Sequence, residues 1–133
     1  MAWGQRDQRA LALRTAAGDG NAEETEMLLL QGVDVNGSDP VGNTALHRAA
    51  EQGSVQVTAI LLAHGADVNM SNMFGRTALH TASRASHIQV VRELLEHGAD
   101  PKASTVQGKT ALDLALDAGD VEIIAQLMAD TTL

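Results

Sequence analysis

The chain has no cysteine, so disulfides, thiol nucleophiles and Cys-based zinc sites are all excluded. It has no Tyr, one Trp and one Phe. A core nearly free of aromatics must be filled by Leu, Ile, Val and Ala, and Ala-rich faces suit closely packed helices. Only two prolines occur in 133 residues, which favours helix. Basic residues are scarce: 9 Lys and Arg stand against 17 Asp and Glu, a formal net charge of −8. Such a balance excludes direct nucleic-acid binding, which needs clustered cations to neutralise phosphates, and it disfavours an anionic membrane surface. No apolar run is long enough to span a bilayer. The Met1-Ala2-Trp3-Gly4-Gln5-Arg6 segment has no apolar signal core, so an intracellular location, cytoplasmic or nuclear, is expected. The glycines form neither a Gly-x-Gly-x-x-Gly nor a Walker-type cluster, and no Ser or Thr stands in a nucleophile context. An enzymatic role is therefore not expected, and no cofactor is implied.

What is present is a globular composition, 44% hydrophobic and 20% charged, in one domain-sized chain. It is also periodic. Gly42-Asn43-Thr44-Ala45-Leu46-His47, Gly75-Arg76-Thr77-Ala78-Leu79-His80 and Gly108-Lys109-Thr110-Ala111-Leu112-Asp113 align without a gap, 33 residues apart. The same spacing links Leu28, Leu61, Leu94 and Leu127, and also Ala16, Ala49, Ala82 and Ala115. Stepping back from Leu46 reaches Leu13, a degenerate first copy. The whole chain, 1–133, then reads as one domain with units at 6–38, 39–71, 72–104 and 105–133. Sequence periods of this length mark stacked repeats.

Each unit reads as two short helices. In the second unit Asp39-Pro40-Val41-Gly42 is a turn, Pro at its second position and Gly at its end. Thr44 supplies an N-cap oxygen for the first helix, and Gly53 ends that helix. Val55, Ala59, Leu61 and Leu62 line the second helix, Gly65 closes it, and Asp67-Val68-Asn69 is expected to run out extended. One such unit buries too little to stand alone, so neighbours must stack.

The 33-residue period, the Thr-x-Leu-His run and the Gly65-Ala66-Asp67-Val68-Asn69 close resemble the ankyrin repeat. The resemblance covers all but the first five residues. It implies an all-α ankyrin-repeat solenoid of helix-turn-helix units joined by β-turn loops. Departures from the family pattern stand at Ala45, Ala78 and Ala111, where Pro is usual, and at Pro101-Lys102. Ser86 occupies the slot of Gly53 and Gly119, where strain is expected. Such irregularity sets a natural protein ahead of the alternative, a designed or structural scaffold binder.

A metal-dependent enzyme is a distant third reading, resting on five histidines. His47 and His80 occupy one repeat slot, and Asp113 fills the same slot after Thr110. Capping of the first helix by Thr44 with His47, Thr77 with His80 and Thr110 with Asp113 explains these residues better. Equivalent positions lie about one helix diameter, roughly 10 Å, apart, too far for two rings to share an ion. No metal ligand is assigned. His64 and His97 suit helix C-termini. His87 reads as a surface residue opening a helix.

The resemblance implies partner binding through the concave face and turn tips. In the second unit it places Val41, Asn43, Arg48, Glu51 and Gln52 there. The third contributes Met73, Phe74, Arg76, Thr81, Arg84 and Ala85, and the fourth Val106, Gln107, Lys109, Asp117 and Ala118. Met73 and Phe74 are large apolar residues at a tip that should be polar. Arg48, Arg76 and Arg84 are expected to cluster beside them, favouring an acidic or phosphorylated segment of another protein. Asn36 and Asn69 resemble sites of asparaginyl hydroxylation in this family, and their side chains are suited to hold the return segment. Thr131-Thr132-Leu133 has the character of a peptide captured by β-augmentation. A monomeric adaptor or regulatory subunit is the resulting expectation.

Overall fold

A computed structural model describes residues 2–131. Eight helices follow in order: α1 (Ala2–Gly18), α2 (Ala22–Leu30), α3 (Ala45–Gln52), α4 (Val55–Ala63), α5 (Ala78–Arg84), α6 (Ile88–Glu96), α7 (Ala111–Ala118) and α8 (Val121–Thr131). No strand occurs among the described residues. The odd-numbered helices pack in one row, α1 on α3 on α5 on α7, and the even-numbered ones in a second row beside it. Each consecutive pair forms a hairpin that leans on the next, as a solenoid requires.

The period sets the core. Leu13, Leu46 and Leu79 are buried at one slot, and Leu61, Leu94 and Leu127 at another. Ala16, Ala49, Ala82 and Ala115 are buried between successive inner helices. A methyl side chain here lets neighbouring backbones approach, so the inner row is tight without aromatics.

Three departures from the sequence reading have local causes. The first helix starts at Ala2, ahead of the 6–38 unit, and runs unbroken through the positions where the second unit has its turn. Arg9 holds the slot of Gly42, and no Gly or Pro between Gln5 and Thr15 interrupts the helix. The segment Asp67-Val68-Asn69 is a turn rather than extended chain, because the Asp67 carboxylate accepts the Asn69 N–H at 3.1 Å. Asp34 and Asp100 make the same bond to Asn36 and Lys102. His87 is not merely a surface residue: its Nε2 lies 3.0 Å from the Glu51 carbonyl, and its ring covers Gly53. Ser86, by contrast, has the left-handed backbone that its slot demands, with φ 63°. Of the β-augmentation candidate, Thr131 ends α8, while Thr132 and Leu133 lie outside the described residues.

Candidate protein-binding groove

The site is built on the caps of the inner helices. Thr44 donates its backbone N–H to His47 Nδ1 at 3.0 Å, and its hydroxyl oxygen accepts the His47 N–H at 3.4 Å. An accepting Nδ1 places the ring proton on Nε2, which donates to the Arg76 carbonyl of the following unit at 2.9 Å. Thr77 and His80 repeat the arrangement, with Nε2 3.0 Å and 3.1 Å from the Ala103 and Lys109 carbonyls. Burial lowers the pKa of both imidazoles, so each stays neutral and keeps this one-donor, one-acceptor pattern. Thr110 and Asp113 form the third box. There the Thr110 N–H bonds hold the Asp113 carboxyl below the ordinary carboxylate value.

A second periodic device shapes the turn tips. Asp39 accepts the N–H groups of Val41 and Asn43 through one carboxylate oxygen, both at 2.9 Å. Asn72 does the same for Phe74 and Arg76, and Thr105 for Gln107 and Lys109. Adjacent tips are then tied by backbone bonds from Met73 to the Val41 carbonyl (2.8 Å) and from Val106 to the Phe74 carbonyl (3.0 Å). Gly42 and Gly75 make this approach feasible. A Cβ at Gly42 would meet Asn72 Cα at 3.0 Å, and Gly42 and Gly75 both have positive φ. Sequence reasoning missed Asn72 and Thr105. The recoverable signal was a short polar acceptor every 33 residues, two before each tip's centre.

Between the tips and the inner helices lies a groove of about 210 Å³. It gathers Val41, Asn43, Glu51, Phe74, Arg76, Thr81, Arg84, Ala85, Gln107 and Lys109 from the residues selected by sequence, and adds Asn72, His80, Thr105 and Leu114. Phe74 is 45% exposed, with the Arg76 guanidinium 5.3 Å from its ring centre. Lys109 lies 3.7 Å from Asp117 at the rim, whereas Arg84 forms no ion pair among the described residues.

Six selected residues stand elsewhere. Arg48 does not join Arg76 and Arg84, because Asp39 draws its guanidinium to 3.2 Å and it lines a separate hollow with Leu11 and Arg14. Gln52, Met73, Val106 and Asp117 are exposed but outside the groove wall, as is Ala118. Asn36 and Asn69 lie on the outer returns. Their side-chain oxygens accept the N–H groups of Asp67 (2.8 Å) and Asp100 (2.7 Å) in the following units.

Among the described residues, no group of three or more His, Asp or Glu side chains is placed to hold a metal ion. No helix there is long and apolar enough to cross a membrane.

A family model described as ankyrin repeats (3 copies) matches residues 3–72, and one described as ankyrin repeats (many copies) matches residues 61–115. The chain belongs to the ankyrin-repeat family, whose repeats are protein–protein interaction modules. No curated protein matches it.

Proposed function

We propose that the protein is a regulatory or adaptor subunit that captures an acidic or phosphorylated segment of a partner protein in the groove between Val41 and Lys109. The observation that carries this reading is a reversal of charge. The chain has a net charge of −8, yet Arg76, Arg84 and Lys109 line the groove, with Glu51 the one carboxylate in its wall and Asp117 reaching Lys109 from the rim. Oppositely charged surfaces steer encounter and fix register. The Phe74 ring, held under Arg76, supplies an apolar anchor of the kind that dominates interface energies. The tip ladder and the His47 and His80 bonds fix the groove before binding, which reduces the ordering cost of association.

The test uses fluorescent peptides of matched length: acidic, phosphoserine-containing, neutral and basic. Titration by anisotropy should rank the acidic and phosphorylated peptides tightest, with affinity falling as salt rises. Phe74→Ala combined with Arg84→Glu should abolish that binding while helical content and melting stay nearly unchanged. Equal affinity for the neutral peptide, or full binding by the double variant, would remove the groove from consideration.

A further inference from the structure

The first two units meet differently from the later ones. In the second and third units one inner-helix slot is tied to the following unit: His47 Nε2 lies 2.9 Å from the Arg76 carbonyl, and His80 Nε2 lies 3.0 Å and 3.1 Å from those of Ala103 and Lys109. One period before His47 the slot holds Arg14, and the corresponding carbonyls are those of Gly37 and Asn43. Arg14 bonds to neither. It is half-buried, and its guanidinium makes no hydrogen bond or ion pair among the described residues.

The space it faces is also particular to this junction. Because α1 stays helical where later units have a tip, the return of the first unit closes on the helix itself, and a Cβ at Gly37 would lie 3.4 Å from that of Ala10. Beside this contact a hollow of about 740 Å³ opens between α1 and the 32–40 segment. Sites for small ligands span about 300–1,000 Å³. The hollow lies between two described elements of the chain and not at an end of the row.

Its walls suit one class of ligand. Ala10, Val33 and Pro40 offer an apolar surface, beside Arg9 and Arg14. Arg9 spends Nη2 on the Gln31 carbonyl at 2.8 Å, whereas all five N–H donors of Arg14 are unmatched. A carboxylate satisfies such a planar fork with two parallel bonds. The wall's own carboxylates are engaged elsewhere. Asp39 accepts the Val41 and Asn43 N–H groups and pairs with Arg48, and Asp34 accepts the Asn36 N–H. Their charges still count against a phosphate, which is close to doubly negative at neutral pH. An extended peptide is disfavoured on other grounds. Met73 and Val106 donate the N–H groups that tie each tip to the one before, and the same slot in the second unit is Pro40, which has no N–H.

We infer that this hollow binds a small organic carboxylate, gripped by the Arg14 guanidinium, with its apolar body against Ala10, Val33 and Pro40. The site is separate from the groove and does not depend on the partner segment proposed there.

The experiment titrates the isotopically labelled full chain with benzoate, benzamide, phenyl phosphate and acetate, and methyl NMR shifts give both location and affinity. Benzoate should shift the Ala10 and Val33 methyls and leave the groove methyls of Leu114 unmoved. It should bind at least tenfold tighter than benzamide, which lacks the charge, and than acetate, which lacks the apolar body, and severalfold tighter than phenyl phosphate. Arg14→Gln should weaken benzoate at least tenfold with melting nearly unchanged, because the guanidinium holds no bond within the fold. Ser38→Asp, which adds a carboxylate to an exposed position in the wall, should weaken it severalfold. Arg84→Gln, in the groove, should leave it unaltered. Shifts centred on the groove, benzamide or acetate equal to benzoate, phenyl phosphate equal or tighter, or benzoate binding that survives Arg14→Gln or Ser38→Asp undiminished would each overturn the inference.

Discussion

Ser86→Gly offers a clean test of how the inter-helix turns are held. Four residues occupy this turn slot: Gly20 with φ 70°, Gly53 with φ 84°, Ser86 with φ 63° and Gly119 with φ 74°. A side chain in the left-handed region costs roughly 1–2 kcal/mol, and removing it adds back about 0.4–1 kcal/mol of unfolded-chain entropy. Ser86→Gly should therefore stabilise the fold by about 0.5–1 kcal/mol. With an unfolding entropy near 2.1 cal/mol/K per residue over 133 residues, the melting temperature rises by about 2–4 °C. The reverse substitutions calibrate the argument. At Gly119 an added Cβ meets nothing within 4 Å, so Gly119→Ser should cost only the backbone strain, about 1 kcal/mol. At Gly53 the added Cβ would fall 2.5 Å from His87 Nδ1, displacing the ring and its bond to the Glu51 carbonyl. Gly53→Ser should then cost about 2–3 kcal/mol, strain plus a lost hydrogen bond. Urea and thermal unfolding followed by circular dichroism measure all three. A Ser86→Gly protein no more stable than the parent, or Gly53→Ser and Gly119→Ser costing the same, would refute the reasoning.

Further outcomes follow from buried polar groups. Ser83 is fully buried, and its hydroxyl has no hydrogen-bond partner among the described residues, so Ser83→Ala should stabilise by about 1 kcal/mol in the same unfolding assay. His47 and His80 have pKa values lowered from 6.5 by burial, so folding favours their neutral forms. Their contribution to stability is complete above the unfolded-state value and is lost as pH falls below it. Melting temperature should therefore drop between about pH 7 and pH 5, and a His47→Gln, His80→Gln double variant should be less stable at pH 7.5 but flatter across that range. Leu112→Ala should cost less than Leu79→Ala, because Leu79 is 1% exposed and Leu112 only partly covered; roughly 2–5 kcal/mol is expected for the buried site, by chemical denaturation.

The row of hairpins was legible because a repeat writes each structural decision several times. Thr44, Thr77 and Thr110 each announce a helix start, and a glycine 33 residues from another is harder to misread than one alone. Bonds within a unit, such as Thr44 to His47, were also within reach, because capping depends on a separation of three residues. Bonds between units were not. The His47 ring to the Arg76 carbonyl, and Asn36 to the Asp67 N–H, span 29 and 31 residues. Their partners are backbone atoms, which leave no mark in side-chain identity. His87 was misjudged for the same reason: its partner is a carbonyl, and its neighbour is the empty side of a glycine. The groove residues were found largely by position, yet Arg48 was misplaced. Charge sign alone could not show that Asp39, already fixed by two backbone N–H groups, would hold that guanidinium away from Arg76.

These long-range bonds also bear on how the groove works. Each joins a side chain of one unit to the backbone of the next, so a unit's tip is set partly by its predecessor. The Arg76 carbonyl is held by His47, and the Arg76 N–H by Asn72, whose own amide reaches Asn43 at 2.9 Å. The residue that covers Phe74 is thus fixed from two units at once. Loosening His47 should loosen Arg76 even though His47 does not line the groove. His47→Ala should therefore weaken acidic-peptide binding by severalfold at a temperature where the protein remains fully folded. His64→Ala, which removes only the half-exposed contact to Glu26 on the outer row, should leave that affinity unchanged. Equal affinities for both variants would mean that the groove's shape is set within single units and not by the coupling between them.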